Sequence, residues 1–246
     1  MEVNDGLAAS NARRLFSEKH ATYARFIAFV RYPQGLRAFF RGSSFLRSGI
    51  RVLDAGCGTG AATLAVHDAL VQRAVTPGRL DAFDLTPAML EHFRKTLETL
   101  AITLVEARQA NVLEMDTLPT AWTNYDLIVT ASMLENLPRE RLWEALAALR
   151  TRLNDSGRLV VLITRRNWLT RLLIGWWWES NLYRKDELLA EFECAGFAQV
   201  RFRAFPLTVR YLAAWGYVVE AWDWSTIPHP SSAKYRRQST GSDWSA

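Results

Sequence analysis

The sequence predicts an open, doubly wound, mostly parallel α/β sheet, and three observations carry that reading. Short apolar runs bounded by turn residues recur at 51–55, 80–83, 102–107, 125–130 and 158–164. Segments of helical periodicity separate them, as happens when parallel neighbours are joined by crossover helices. At 246 residues, 49% of them hydrophobic, the chain can bury the core of one sizeable domain of this kind.

The elements follow in order. Leu15, Phe16, Tyr23, Phe26, Ile27 and Val30 recur at near-helical spacing, which predicts a helix over 10–30. Tyr32-Pro33-Gln34-Gly35 reads as punctuation, and a second short helix is expected over 36–46. Residues 1–46 are thus read as an N-terminal helical cap, 47–224 as the main domain and 225–246, rich in Ser and Thr, as a loose tail. The strand at 51–55 leads into a helix over 61–74, closed by Thr76-Pro77-Gly78. After the strand at 80–83, Pro87 opens a helix running to about Leu100, since proline lacks only an N–H that the first turn leaves unpaired anyway. Pro138 opens another over 139–153, and Asn154-Asp155-Ser156-Gly157 turns into the strand at 158–164. A helix over 186–195 stops at Gly196, and strands near 199–205 and 217–222 complete the sheet.

Composition removes several classes. Two cysteines, Cys57 and Cys194, are too few for a disulfide framework, which makes a reducing compartment the default. Residues 1–10 have no basic-then-apolar leader, and no apolar run reaches the roughly 18 residues of a membrane span. The expected location is cytoplasmic, with peripheral contact at a membrane as a variant. Residues 1–51 hold nine basic side chains against three acids, which suits an anionic partner, lipid headgroups or simply solvated helix faces. His20, His67, His92 and His229 are scattered without ligand spacing, so no metal site is expected.

The most informative stretch is Arg51-Val52-Leu53-Asp54-Ala55-Gly56-Cys57-Gly58-Thr59-Gly60. Glycines at alternate positions let the backbone turn sharply and approach a ligand closely. A phosphate-binding P-loop would end in Gly-Lys-Ser/Thr, whereas Gly60 is followed by Ala61-Ala62. A dinucleotide loop fits better, because Gly56, Gly58 and Ala61 satisfy G-x-G-x-x-A. Asp54 argues against it, since a negative charge there would sit near a pyrophosphate; it suits a cationic or hydroxyl-bearing ligand instead.

This loop resembles that of the class I S-adenosylmethionine (SAM) dependent methyltransferases, of the small-molecule, type 11 kind. The resemblance runs from about Val52 to Ala221 and implies a seven-stranded, Rossmann-like methyltransferase fold with SAM as cofactor. It assigns Asp54, Gly56, Gly58 and Gly60 to the cofactor's amino-acid end. Asp84 ends the second strand, where the family's acid accepts both ribose hydroxyls; the alternative is an acid favoured by a helix N-terminus. In Asp84-Leu85-Thr86-Pro87-Ala88-Met89-Leu90, Leu85 and Met89 would border the adenine. Asn111 and Val112 fall where the family has an Asp and an apolar residue. The amide oxygen of Asn111 can accept the adenine amino group, although an ordinary turn Asn is the rival. Thr130 ends the fourth strand, which faces the methionine part.

On the acceptor side the resemblance is thinner. The chain has no Asn/Asp-Pro-Pro-Tyr/Phe for gripping a flipped base and no Pro-Cys nucleophile, so no nucleic-acid partner is expected. Only Glu135 stands where protein arginine methyltransferases place two glutamates. Methyl transfer from SAM to a small, apolar or aromatic acceptor is therefore the expected function, with His20, Tyr23, Tyr32, Glu135 and Tyr183 as candidate bases. A SAM-binding protein without methyl transfer, acting as a regulatory or assembly partner, is the alternative, and a NAD-dependent oxidoreductase a weaker third. An insertion at about 165–181, with Trp176-Trp177-Trp178 among arginines, reads as a pocket wall or lid, a membrane contact or plain core.

Overall fold

The computed structural model describes residues 31–170 and 181–223. Its sheet has seven strands in the order β3-β2-β1-β4-β5-β7-β6. These are β1 (Arg51–Ala55), β2 (Arg79–Asp84), β3 (Val105–Gln109), β4 (Tyr125–Ala131), β5 (Leu153–Thr164), β6 (Gln199–Arg203) and β7 (Gly216–Trp222). The first five run parallel, and β7 lies antiparallel to both β5 and β6. The order reverses between β1 and β4, so the carboxyl ends of those strands frame the crevice where open α/β sheets bind ligands.

Helices cover both faces: α1 (Tyr32–Arg41), α2 (Ala61–Gln72), α3 (Pro87–Thr99), α4 (Leu142–Arg150) and α5 (Lys185–Cys194). Leu127, Ile128 and Val129 of the central strand are fully buried because each face has its own apolar layer. On one side Ala62, Ala65, Val66, Ala69 and Leu70 of α2 form a stripe against Val52, Leu127 and Val160. On the other, Leu142, Ala145, Leu146 and Leu149 of α4 meet Ile128, Leu159 and Val161.

Several boundaries differ from the sequence reading, among them the helix expected over 139–153, which is α-helical over Leu142–Arg150 alone; three others have physical reasons. Helix α1 begins at Tyr32 rather than 36: Pro33 sits in its first turn, where a missing N–H costs nothing, and Gly35 faces Leu212. Leu36, Phe39 and Phe40 join the layer shared by α2 and the sheet. β3 begins at Val105 rather than 102, because α3 ends in a turn with Ala101 at φ 53° whose next N–H, from Ile102, bonds to Leu97 O at 2.9 Å. The turn at 154–157 is present, but as a bulge inside β5: Leu153 pairs with Tyr125 and Arg158 with Leu127, and Asn154 Oδ1 accepts the Ser156 N–H at 2.9 Å. A 3-10 helix, Leu207–Ala214, joins β6 to β7 and packs on α1; no periodicity had announced it. The expected helix over 10–30, the tail and residues 171–180 of the insertion lie outside the described residues.

Candidate active site

Asp54 is placed by two neighbours in the fold. The residue preceding α2 is Gly60, which has no side chain to cap the helix, so the N–H of Thr63 in the first turn needs another acceptor. Asp54 Oδ2 takes that N–H at 2.8 Å and the Thr63 hydroxyl at 2.6 Å. Its other oxygen is buried without a partner among the described residues. Burial pushes the carboxyl from 3.8 up to about 6; the two bonds from Thr63 pull the other way, and the nearby charge of Asp84 adds to the rise.

The loop between β1 and α2 directs its own N–H groups inward. Those of Gly56 and Cys57 share Phe83 O at 2.8 and 2.9 Å, and that of Gly60 bonds to Cys57 O at 2.8 Å. The Gly58 N–H bonds to Asp84 Oδ2 at 2.8 Å, tying the loop to the end of β2. Gly58 has φ +53°, and a Cβ built there would meet nothing within 4 Å. Gly60 has φ +89°, and a Cβ there would lie 2.1 Å from the Phe93 ring. One glycine therefore borders open space and the other closes a packing contact.

Asp84 Oδ1 accepts the Thr86 N–H at 2.8 Å, so each oxygen holds one backbone donor and retains acceptor capacity. Burial raises its pKa, and the N–H groups of Thr86 and Gly58 oppose the rise. The Ala110 N–H bonds to Asp84 O at 3.1 Å, bringing the Asn111 turn beside it. There Asn111 Oδ1 accepts the Leu113 N–H at 3.1 Å and its amide donates to Glu114 at 2.9 Å. Leu85 is half-buried, Met89 is buried in the first turn of α3, and Val112 is buried in the layer under α4.

At the ends of β4 and β5 the structure gathers the rest. Thr130 is buried, with its hydroxyl unpartnered among the described residues. Ser132 donates to the Tyr32 hydroxyl at 3.3 Å, and Met133 lies against Gly56. Glu135 is buried, and its Oε1 accepts the Thr164 hydroxyl at 2.8 Å. Its Oε2 and the hydroxyl of buried Tyr183 have no partner among the described residues. Burial pushes Glu135 from 4.5 up to about 7, against the pull of its hydrogen bonds, including that from Thr164. Burial also raises Tyr183, whose ring lies 4.6 Å from the Arg139 guanidinium.

The returning leg of the insertion is fastened here too. The Asn181 N–H bonds to Glu135 O at 2.8 Å and its amide to Leu137 O at 2.7 Å. At the other leg Trp168 is exposed. Candidates His20 and Tyr23 lie outside the described residues. Thr63 and Thr164, which orient the two buried carboxyls, were not foreseen; for Thr63 the signal was a glycine unable to cap a helix that follows a carboxylate. Among the described residues no three His, Cys, Asp or Glu side chains group as metal ligands, and no helix is long and apolar enough to cross a membrane.

The mouth of the glycine loop thus presents two carboxylates, Asp54 and Asp84. Residues 52–157 match the family described as "Methyltransferase domain". No curated protein sequence matches the chain. Among solved structures, an O-methyltransferase family protein from Burkholderia thailandensis superposes with TM-score 0.65 at 18% identity, over 85% of this chain and 62% of its own. PigF, solved with S-adenosylhomocysteine (SAH), gives 0.62 at 20% identity, over 76% and 54%. Magnesium protoporphyrin IX methyltransferase (ChlM) from Synechocystis PCC 6803, solved with bound SAM, gives 0.60 at 14% identity, over 88% and 97%. The chain spans about half the length of PigF. The match over residues 52–157 makes this part of the chain similar to a methyltransferase domain. The strand order, with these superpositions, is that of the Rossmann-like methyltransferase fold.

Proposed function

We propose that the protein transfers a methyl group from SAM to a small, apolar or aromatic acceptor. One observation carries the choice of cofactor: the glycine loop's N–H groups at Gly56, Cys57, Gly58 and Gly60 are bound to protein acceptors, while Asp54 and Asp84 flank it. A pyrophosphate needs free N–H donors and avoids carboxylates. A ligand with an ammonium, a sulfonium and a ribose diol needs acceptors and negative charge. Open space at Gly58 and the unpartnered oxygen of Asp54 fit that ligand. Asp84 would accept the ribose hydroxyls, Leu85, Met89 and Val112 would border the base, and Asn111 retains a lone pair for its amino group.

When bound, SAM supplies a methyl already activated by the sulfonium. The chain's own work is then to align acceptor and methyl, at about 3–3.5 Å, and to exclude water. The ends of β4 and β5, with Tyr32 of α1 bonded to Ser132, would hold the acceptor. Calorimetric titration with SAM, SAH and NAD tests the reading. SAM and SAH are expected to bind, and Asp84→Ala to weaken SAH by about 1.5–3 kcal/mol. Saturable NAD binding without response to the other two, or full SAH affinity in a folded Asp84→Ala protein, would refute it.

A further inference from the structure

Beyond Thr130, the ends of β4 and β5 hold two buried polar atoms that the cofactor reading does not use: Glu135 Oε2 and the Tyr183 hydroxyl, neither with a partner among the described residues. Thr164 joins them, since its hydroxyl donates to Glu135 Oε1 at 2.8 Å and its carbonyl accepts the Tyr183 N–H at 3.4 Å. The phenol also feels the Glu135 charge. Both side chains lie at the carboxyl ends of β4 and β5, and Met133, two residues before Glu135, rests on Gly56 of the cofactor loop. A carboxyl kept only for the fold would be satisfied on both oxygens or replaced by an apolar residue, because a buried unpaired acceptor costs stability. Among the described residues no ion pair reaches it. Arg139, the guanidinium at the Tyr183 ring, is paired with Glu187 at 2.9 Å, and Arg166 bonds to the same Glu187 at 3.1 Å. The charge of Glu191 also acts on the phenol, and Asp54 belongs to the β1 side of the loop.

The geometry points to Glu135 as the base that takes the acceptor's proton, with Tyr183 as the second hydrogen-bonding group, and therefore to a weakly acidic hydroxyl, a phenol or enol, as the acceptor. This rests on the methyl-transfer reading. In the step, the acceptor O–H bond breaks and its proton passes to Glu135 Oε2. The oxygen lone pair forms the new O–CH3 bond, the electrons of the methyl–sulfur bond leave with the neutral thioether, and Glu135 later releases the proton to water. Chemistry selects the class. A carboxylic acid is already anionic at neutral pH and is repelled by Glu135, while an aliphatic alcohol is too weak an acid for a carboxylate base. A base whose own titration lies near neutrality is matched to the task.

The experiment uses the full chain with saturating SAH and three probes of similar size: 4-chlorophenol, whose hydroxyl stays protonated at neutral pH, chlorobenzene and 4-chlorobenzoate. Wild type is expected to bind 4-chlorophenol about tenfold or more tighter than either of the others, because an analogue without the hydroxyl leaves buried polar groups unpaired. Glu135→Gln should lose most of that preference while keeping its SAH affinity and its fold. With SAM, methylation of 4-chlorophenol should fall by about a hundredfold or more in Glu135→Gln, with loss of the acid limb of the pH profile. Tyr183→Phe should weaken the preference but keep that limb. A carbon-13 titration of glutamate-labelled protein, with the resonance identified by its loss in Glu135→Gln, should show the carboxyl releasing its proton near neutrality. Equal binding of 4-chlorophenol and chlorobenzene, tightest binding of 4-chlorobenzoate, no binding of any probe, or an unchanged rate in Glu135→Gln would each overturn the inference. Failure of wild type to bind SAH would instead remove the methyl-transfer reading beneath it.

Discussion

The two halves of the site are built in different ways. At the mouths of β1 and β2, both carboxylates hold backbone N–H groups close by in sequence: Asp54 holds Thr63, nine residues away, and Asp84 holds Gly58, 26 residues away, with Asp54 Oδ1 the exception, left without a partner among the described residues. At the mouths of β4 and β5, Thr130, Glu135 and Tyr183 each keep a buried polar atom without a partner among the described residues. The contacts there reach further along the chain, 29 residues from Glu135 to Thr164, 44 from Leu137 to Asn181 and 100 from Tyr32 to Ser132. A preorganised half suits a ligand of one fixed shape; a half with unspent hydrogen bonds suits a ligand that must be distinguished from its analogues. One half is assembled by local sequence, the other by tertiary structure.

The largest effect is expected where the first half is tightest. Gly60→Ala must place a Cβ at φ +89° and 2.1 Å from the Phe93 ring, so it should lower stability by about 2–4 kcal/mol. Gly58→Ala meets the backbone penalty alone, since its Cβ has open space, and should cost about 1–2 kcal/mol while weakening SAH disproportionately. Urea unfolding of the two variants, with and without SAH, makes the comparison. Equal losses in both would mean that Phe93 yields and the two glycines are not specialised.

The second half is tested through pH. Glu135 is raised from 4.5 to about 7 by burial, so the folded protein holds that proton more tightly than the unfolded chain does. The linked stability is complete below about pH 4.5 and is lost as pH rises through about 7. Gln cannot ionise and keeps the bond from Thr164. Glu135→Gln should therefore be more stable than wild type at pH 8.5, by up to about 3 kcal/mol, and should lose that advantage by pH 4.5. Denaturant unfolding at the two pH values reads this directly. A variant less stable than wild type at pH 8.5 would show that the carboxylate has a partner in solution.

This contrast explains what could be read from the sequence. The glycine loop, Asp54 and Asp84 stand in short runs whose strand and turn chemistry is local, so both their places and their proximity were legible. The orientation of Asp54 was not, because it depends on Gly60 failing to cap α2 and on Thr63 supplying the hydroxyl. Glu135 was legible only as a polar residue after β4. Its burial and its bond to Thr164 arise from the packing of β5 and the return of the chain at Asn181, which no periodicity encodes. The start of α1 was misplaced for a related reason: Tyr32-Pro33-Gln34-Gly35 has the composition of a turn, but packing of Leu36, Phe39 and Phe40 on α2 and of Gly35 on Leu212 makes it a first helical turn.

The smallest expected effect sharpens the boundary of the preorganised half, at Asn111. Its oxygen already serves the Leu113 N–H at 3.1 Å, and its amide serves Glu114 at 2.9 Å, so a turn role is in hand before any ligand is considered. Asn111→Leu removes both bonds at a half-buried position and should lower stability by about 0.5–1.5 kcal/mol without ligand. Asn111→Asp keeps the acceptor for Leu113 but sets a second carboxylate beside Glu114, a partly exposed repulsion worth a few tenths of a kcal/mol (~0.3). If the remaining lone pair also accepts the adenine amino group, SAH affinity should be kept in Asn111→Asp and should fall in Asn111→Leu by more than the stability loss predicts. Urea unfolding of the apo protein beside SAH calorimetry separates the two roles. Undiminished SAH affinity in Asn111→Leu, together with reduced stability, would assign this side chain to the turn alone and end the cofactor half at Asp84.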